Sequence, residues 1–483
     1  MTREKSSSTW ATLKGLFSKA DASAASSTPS APDAGHQELA QLADAALESG
    51  NVNVAIARLS EANLAGSPSL HYKLGCLLEV ADRPAQALHA YDEAIRLNPY
   101  FAKAHNNRGS VLQQLGRLGD ALNAYLAAQR LDPGLWNASY NVGLAYKMQG
   151  RMGDAIAPFQ QAMRSRRAQG SEGAELDPAD TRTTLFKLRH DIEQIDYLHR
   201  LKGIDESALQ LSQSLQECVQ TIEAGASPPR NGWEFSQRVR VAVAPRYNKL
   251  LHFYNAPAIK GGALNPRVDW KRVEAAYFER APGMAFVDDF MVPEALEGLR
   301  RFALESTIWF DCNYSGGYVG CTAEDGFICP LLVQVAEEMR AALPSVIGPN
   351  SLNGMWGYKY DSQGSGINPH ADFAAVNVNF WVTPDESNLD PSSGGLVVWD
   401  KEAPLNWDFQ DYNNNPQKIN AFLNETGAAA WAVPHRQNRM MLFNSDLFHK
   451  TDRYQFKPGY ENRRVNITML FGDRDIAPEK RTA

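Results

Sequence analysis

The sequence is poor in cysteine, in long apolar runs and in net charge. Five cysteines (Cys76, Cys218, Cys312, Cys321 and Cys329) are scattered over 483 residues with no Cys-x-x-Cys pair. An odd, dispersed set argues against the disulfide framework of a small secreted domain and for a reducing, cytoplasmic setting. No stretch reaches the roughly 18 apolar residues of a membrane-spanning helix. Met1 to Lys19 has no continuous apolar core of the kind a secretory signal needs, so neither a span nor a signal is expected. A net charge of −7 gives no electrostatic reason to expect nucleic acid as a partner.

What is present is ordinary globular material, 44% apolar and 21% charged, in a chain long enough for two or three domains. Residues 1–36 read as a disordered arm. Trp10, Leu13, Leu16 and Phe17 fall at helical spacing within it, as a short amphipathic segment, and a Ser/Ala/Pro-rich linker follows. Residues 37–167 repeat themselves. Gly75, Gly109 and Gly143 step by 34 residues, and so do Ala87, Ala121 and Ala155; Tyr91, Tyr125 and Phe159; and Ala94, Ala128 and Ala162. Pro99 and Pro133 close two units, as a residue without a backbone N–H stops a helix. Small residues suit helices that cross closely, with the aromatic filling the space beside them. A weaker unit, stepped by 32 residues, precedes these three around Ala43, Gly50, Ala55 and Leu59. The period and offsets resemble the tetratricopeptide repeat (TPR), which implies an α-solenoid with a concave face for a protein or peptide partner. Lys73, Asn106, Asn107, Arg108, Tyr140 and Asn141 are the expected lining of that face.

Beyond the repeats, residues 168–226 read as a helical bridge, with helices over about 180–201 and 206–224. Residues 227–282 read as an ordered connector in which Val239, Val241 and Val243 alternate like a short strand. From 283 to 475 the texture changes. Helices are expected near 293–305 and 333–343, then short strands over 355–360, 372–382, 395–400, 439–443 and 464–471, which suggests a sandwich or jelly roll. Residues 476–483 are a tail.

This last region carries the chemistry. His370 and Asp372 are one residue apart, so an extended strand would put both on one face. With a distant histidine, His449, they could form a two-histidine, one-carboxylate metal site, an arrangement with open positions that suits non-haem Fe(II). Arg464 lies 15 residues after His449 and shares a strand face with Asn466 and Thr468. A buried guanidinium there would need a carboxylate partner. Arg463 points the other way and is expected at the surface.

The order Tyr360, His370-Ala371-Asp372, Gly394-Gly395, His449 and Arg464-Val465-Asn466 resembles the 2-oxoglutarate- and Fe(II)-dependent dioxygenases of the prolyl 4-hydroxylase-like branch. The resemblance covers about 286–473 and implies an α + β, multidomain protein: a TPR solenoid followed by a double-stranded β-helix (jelly roll). It implies His370, Asp372 and His449 as metal ligands and catalytic centre, and Arg464 as holder of the distal carboxylate of 2-oxoglutarate. Asn466 stands where many members carry serine. Tyr360, or Tyr358 on the same face, would bond the same carboxylate, and Asn379 would face the cosubstrate or its waters. The implied enzyme is a hydroxylase using O₂ and 2-oxoglutarate on a protein or peptide residue, prolyl first, recruited by the repeats. Two alternatives stand beside it: an oxygenase of a small molecule or biosynthetic intermediate with the repeats used for assembly, and a TPR adaptor with a non-catalytic barrel. The Gly/Tyr-rich segment 311–320 and the aromatic insertion 400–424 are candidate walls for the substrate.

Overall fold

The computed structural model describes residues 34–171, 175–225, 232–312 and 317–474. Trp10, Leu13, Leu16 and Phe17, residues 313–316 of the Gly/Tyr-rich segment, and the tail lie outside them. The chain divides into two units between Asn141 and Val142.

The repeat pattern of the first unit builds helical hairpins: Ala34–Ser49 with Asn53–Glu61, Pro68–Val80 with Pro84–Leu97, and Ala102–Gln114 with Leu118–Leu131. The 34-residue glycines have a steric cause. A Cβ on Gly75 would lie 2.5 Å from Cε1 of Tyr91, and one on Gly109 would lie 2.6 Å from the Tyr125 ring. The aromatic of each second helix thus sits where the first helix has no side chain. Asn98 and Asp132 cap the second helices, immediately before Pro99 and Pro133. The weak first unit forms a hairpin too, and its Ala43, Ala55 and Leu59 join the core of the next.

In the second unit the helix Met152–Arg166 repeats the device, with Gly143 facing Phe159. Gln160 donates to Asn255 Oδ1 (2.8 Å) and to the Ile328 carbonyl (3.0 Å), so this helix is fastened to the residues that follow it. Helices Leu185–Arg200 and Ser207–Ala224 pack through Leu188, Ile195, Leu211 and Leu215. The stretch expected as a strand, 239–243, is instead part of a helix, Gln237–Val243. Val243 is buried and Val239 partly so, four residues apart, while Val241 is exposed. This is helical rather than alternating burial.

Thirteen strands follow in order among the described residues. The first two, β1 (Arg182–Thr183) and β2 (Trp233–Glu234), pair with each other. The β-rich region contains β3 (Met284–Val287), β4 (Tyr318–Thr322), β5 (Leu352–Tyr360), β6 (Gln363–Gly364), β7 (Val376–Trp381), β8 (Leu396–Glu402), β9 (Ala430–Val433), β10 (Met440–Asn444), β11 (Leu447–Thr451), β12 (Tyr454–Gln455) and β13 (Val465–Phe471). They form a six-stranded sheet, β3-β10-β7-β13-β5-β4, a three-stranded sheet, β11-β8-β9, and the pair β12-β6. Every pairing is antiparallel. Met284, Trp381, Met441 and Phe443 of the larger sheet share one apolar cluster with Leu396, Val398, Val433 and Leu447 of the smaller, so the two sheets pack on each other. Helix Pro293–Glu305 covers the other face of the larger sheet: Phe302 packs edge-on against Phe327 (5.3 Å), which lies against Gly357 of β5.

Candidate metal centre

The backbone brings the two histidines together. The His370 N–H donates to the His449 carbonyl at 3.0 Å and the His449 N–H to the His370 carbonyl at 2.8 Å, while the Asp372 N–H reaches the Ser445 carbonyl at 3.2 Å. His449 stands in β11. His370 and Asp372 are not in a regular strand, however. His370 makes a single bridge, the chain bends through Phe373–Ala375, and β7 starts only at Val376. That isolated bridge, rather than a ladder, sets the geometry. One donor atom from each of His370, Asp372 and His449 lies within 4.8 Å of the others.

The tautomers follow from the neighbours. His370 Nδ1 is 2.9 Å from the Asn368 carbonyl and His449 Nδ1 is 3.1 Å from the Leu447 carbonyl. A carbonyl only accepts, so each Nδ1 carries a proton, and in the neutral ring it is Nε2 that offers a lone pair. Those Nε2 atoms stand 3.9 and 3.4 Å from the Asp372 carboxylate. Fixing the outer nitrogen of a ligating histidine in this way orients the ring and selects the metal-binding tautomer. Burial pushes the His370 imidazole towards its neutral form, helped by His449. Burial opposes the Asp372 charge, but its bonds and attraction to His449 outweigh this and hold the carboxyl below the ordinary carboxylate range. A neutral imidazole at His370 and an ionised Asp372 are protonation states that suit a divalent cation.

A line of amides backs the carboxylate. Asn377 Nδ2 donates to Asp372 Oδ2 at 2.6 Å, Asn379 Nδ2 to Asn377 Oδ1 at 2.6 Å, and both Asn466 Nδ2 (2.9 Å) and Thr468 Oγ1 (2.8 Å) to Asn379 Oδ1. The register explains the line: Thr468 of β13 pairs directly with Asn379 of β7, and Asn377 lies two residues along the same face. Asn379 therefore acts on Asp372 through Asn377. Asn466 keeps a buried Oδ1 with no partner among the described residues.

A cavity of about 810 Å³ opens over this group; Tyr358, Tyr360, Asn379 and Asn466 line it together with the three candidate ligands. Arg464 does not line it. It is fully buried behind Tyr360, whose ring lies 4.6 Å from its guanidinium carbon. Its Nε donates to the Gly394 carbonyl (2.5 Å) and its Nη2 to the Gly395 carbonyl (3.3 Å), which leaves Nη1 without a partner among the described residues. The diglycine thus holds the arginine. A Cβ on Gly395 would fall 1.8 Å from the Val433 carbonyl, so no other residue fits there. Burial weighs against the Arg464 charge and Tyr360 partly restores it. Tyr360 Oη is 3.3 Å from Thr451 Oγ1. Tyr358 packs edge-on against Tyr318 at 5.1 Å. Arg463 does point the other way, but it is buried, not at the surface: it bonds Glu193 (2.8 Å) and Asp361 (3.2 Å) and stacks on Phe186.

Of the expected walls, Asp311 and Tyr318 line the cavity from the Gly/Tyr-rich segment. The insertion folds into two short helices, Phe409–Asn413 and Pro416–Glu425. Phe409, Asn413 and Asn414 line the cavity, whereas Trp407 and Tyr412 pack inward with Phe422 and Phe448. Phe373, next to Asp372, and Phe409 remain 45% and 43% exposed at the cavity, with rings 6.5 Å apart. Alternation places Asn377 beside Asn379, and Thr468 beside Arg464 and Asn466, on inward faces, but Arg167 is a cavity residue that the pattern did not single out. The polar alternation Asn377/Asn379 opposite Asn466/Thr468 was the available signal for Asn377 and Thr468, and Arg167 had none.

The expected concave-face residues are largely engaged within the repeats. Lys73 pairs with Asp44, and Arg108 pairs with Asp92 at 2.6 Å. Asn141, Asn106 and Asn107 bond in series, and Asn107 reaches the Tyr72 hydroxyl.

Comparison with known proteins assigns the repeats. The tetratricopeptide-repeat family model matches residues 72–135 and 112–171. These residues are TPR repeats. The matched residues end before the β-rich region begins. Among solved structures, a crystal structure of MamA is similar at 28% identity over 27% of this chain and 77% of that one, with a TM-score of 0.26. MamA 41-end from Desulfovibrio magneticus RS-1 is similar at 19% identity over 40% and 97%, with a TM-score of 0.26. The first TPR of Spaghetti (RPAP3), bound to an HSP90 peptide, is similar at 19% identity over 23% and 91%, with a TM-score of 0.23. No curated protein matches the chain.

Proposed function

We propose that this chain is an Fe(II)- and 2-oxoglutarate-dependent dioxygenase that hydroxylates a residue of a protein or peptide, with a prolyl residue as the first expectation. In this reading the two packed antiparallel sheets are the halves of a double-stranded β-helix. The supporting observation is the convergence of His370, Asp372 and His449 within 4.8 Å, with both Nδ1 protons committed to carbonyls. Two imidazoles and one carboxylate suit Fe(II) and leave open positions. Arg464 keeps an Nη1 without a partner among the described residues, and it would meet the far carboxylate of 2-oxoglutarate only if the Tyr360 ring in front of it moved aside. Bound together, iron and 2-oxoglutarate supply the oxidising power for an unactivated C–H bond. The protein's own part is to hold the ligands, orient the cosubstrate and exclude water. Arg464 and Tyr360 would fix the cosubstrate, and the amide line would keep Asp372 ionised and still. Phe373 and Phe409 would bound the entrance. The repeats would bring a protein partner to this site, using positions other than the asparagines and ion pairs already engaged with each other.

The experiment treats cell extract, with Fe(II), 2-oxoglutarate and air, with wild-type protein or with Asp372→Ala. The expected result is a gain of one oxygen mass on specific peptides with the wild type alone. A gain confined to a metabolite would favour the small-molecule alternative. No gain, together with no succinate release, would overturn the oxygenase reading.

A further inference from the structure

The cavity extends past the candidate ligands to the end of the last repeat helix, where Arg167, Asp180 and Phe310 also line it. Arg167 is built in from several sides. It is the residue that ends helix Met152–Arg166. Its N–H bonds the Met163 carbonyl at 2.8 Å, and its carbonyl accepts from the Leu250 N–H at 2.7 Å. Nη1 alone does the holding: it donates to Asp180 Oδ2 at 3.0 Å and to the Asn248 carbonyl at 3.4 Å. Asp180 is itself held by Asn248 Nδ2 at 2.8 Å, and the guanidinium lies over the Phe310 ring at 4.3 Å. The side chain is mostly buried, at 13% exposed. Among the described residues, Nε and Nη2 have no protein partner.

An arginine anchored by one nitrogen and stacked on a ring keeps a planar edge of two donors in a fixed place, and that edge matches a carboxylate. We propose that Arg167 is a substrate-reading residue that clasps a carboxylate carried by the substrate. This rests on the oxygenase reading for the word substrate, but not for the binding itself. The neighbouring charges set its character. Arg166 pairs with Asp325 at 3.2 Å, so that pair is balanced. Asp311 also lines the cavity and opposes an anion near it. Selection therefore comes from the short bidentate contact rather than from net charge. The same chemistry could come from an acidic residue in a peptide or from a free dicarboxylate.

The test uses the full chain with Fe(II) and 2-oxoglutarate under nitrogen, presented with a random nonapeptide library and, separately, with glutarate. Bound peptides are expected to carry Asp or Glu at one fixed position. Arg167→Gln should remove that enrichment and weaken the recovered peptide about tenfold or more, as for a charge-assisted pair. Arg167→Lys should recover part of the binding, and Asp311→Asn should tighten it. Glutarate that binds while peptides do not would assign the site to a small carboxylate. If the wild type shows no acidic preference and no glutarate binding, or if Arg167→Gln keeps either, the proposal fails. Fe(II)-dependent 2-oxoglutarate binding is measured on the same samples: its loss in the wild type would sink the oxygenase reading while leaving Arg167-dependent carboxylate binding intact.

Discussion

Asn377 is the residue on which the Asp372 carboxylate leans, because its amide donates to Asp372 Oδ2 at 2.6 Å. Removing such a partner of a metal ligand costs about 10- to 100-fold in metal affinity. Asn377→Ala should therefore weaken Co(II) binding by that factor in calorimetric titration. Thr468→Val, two bonds further back, should weaken it less. Equal affinity in Asn377→Ala and wild type would show that the amide line does not orient the ligand. Arg464→Ala should leave Co(II) binding unchanged and lower 2-oxoglutarate affinity at least about tenfold, whereas equal affinity would place the cosubstrate's carboxylate elsewhere. That His370, Asp372 and His449 come together was legible in the sequence because their order resembles that of the dioxygenases. The contact of Asn377 with Asp372 was not, because alternation tells which face a side chain occupies but not which neighbour it meets. Arg463 shows the same limit. Its direction followed from the register, but its burial did not, because the helix bearing Glu193 that covers it lies 270 residues earlier in the chain.

The helical hairpins rest on glycines whose missing Cβ admits a ring. Gly109→Ala would set a methyl 2.6 Å from the Tyr125 ring, an overpacking that costs about 1–3 kcal/mol. Gly119→Ala, in the next helix with open space around it, should be neutral or stabilise by at most about 1 kcal/mol. Urea unfolding of the two variants checks the contrast, and a stabilised Gly109→Ala would contradict it. The repeats were legible because each unit restates the same offsets. The single bridge at His370 was not, because a lone pair of hydrogen bonds leaves no period behind. The helix Gln237–Val243 was misread as a strand because three β-branched residues alternate over too few positions to separate the two periods.

Two buried imidazoles tie stability to acidity. His190 sits among Phe186, Trp309 and Tyr460, and His435 between Trp381 and Phe456. Burial pushes each down to about 3. The unfolded chain takes up these protons below about pH 6.5, while the folded one refuses them until about 3. Stability is therefore full above pH 6.5 and falls as the pH drops through that window, by about 1.4 kcal/mol per histidine at pH 5.5. His435→Phe should flatten the decline in urea midpoint between pH 7 and 5.5, and an unchanged decline would show that His435 does not contribute. The change of texture from repeats to a β-rich region was legible, but the chain divides between Asn141 and Val142, which leaves the last repeat helix, Met152–Arg166, in the second unit. The sequence pattern did not reveal that residues before the sheets, Arg167 and Asp180, help to line the cavity, because 190 residues separate Asp180 from His370. The most direct test of the metal centre is anaerobic calorimetry of 2-oxoglutarate binding with and without Fe(II). One molecule of 2-oxoglutarate should bind per chain only when Fe(II) is present, and none should bind to Asp372→Ala. Wild-type protein that ignores 2-oxoglutarate in the presence of Fe(II) would contradict the proposed function.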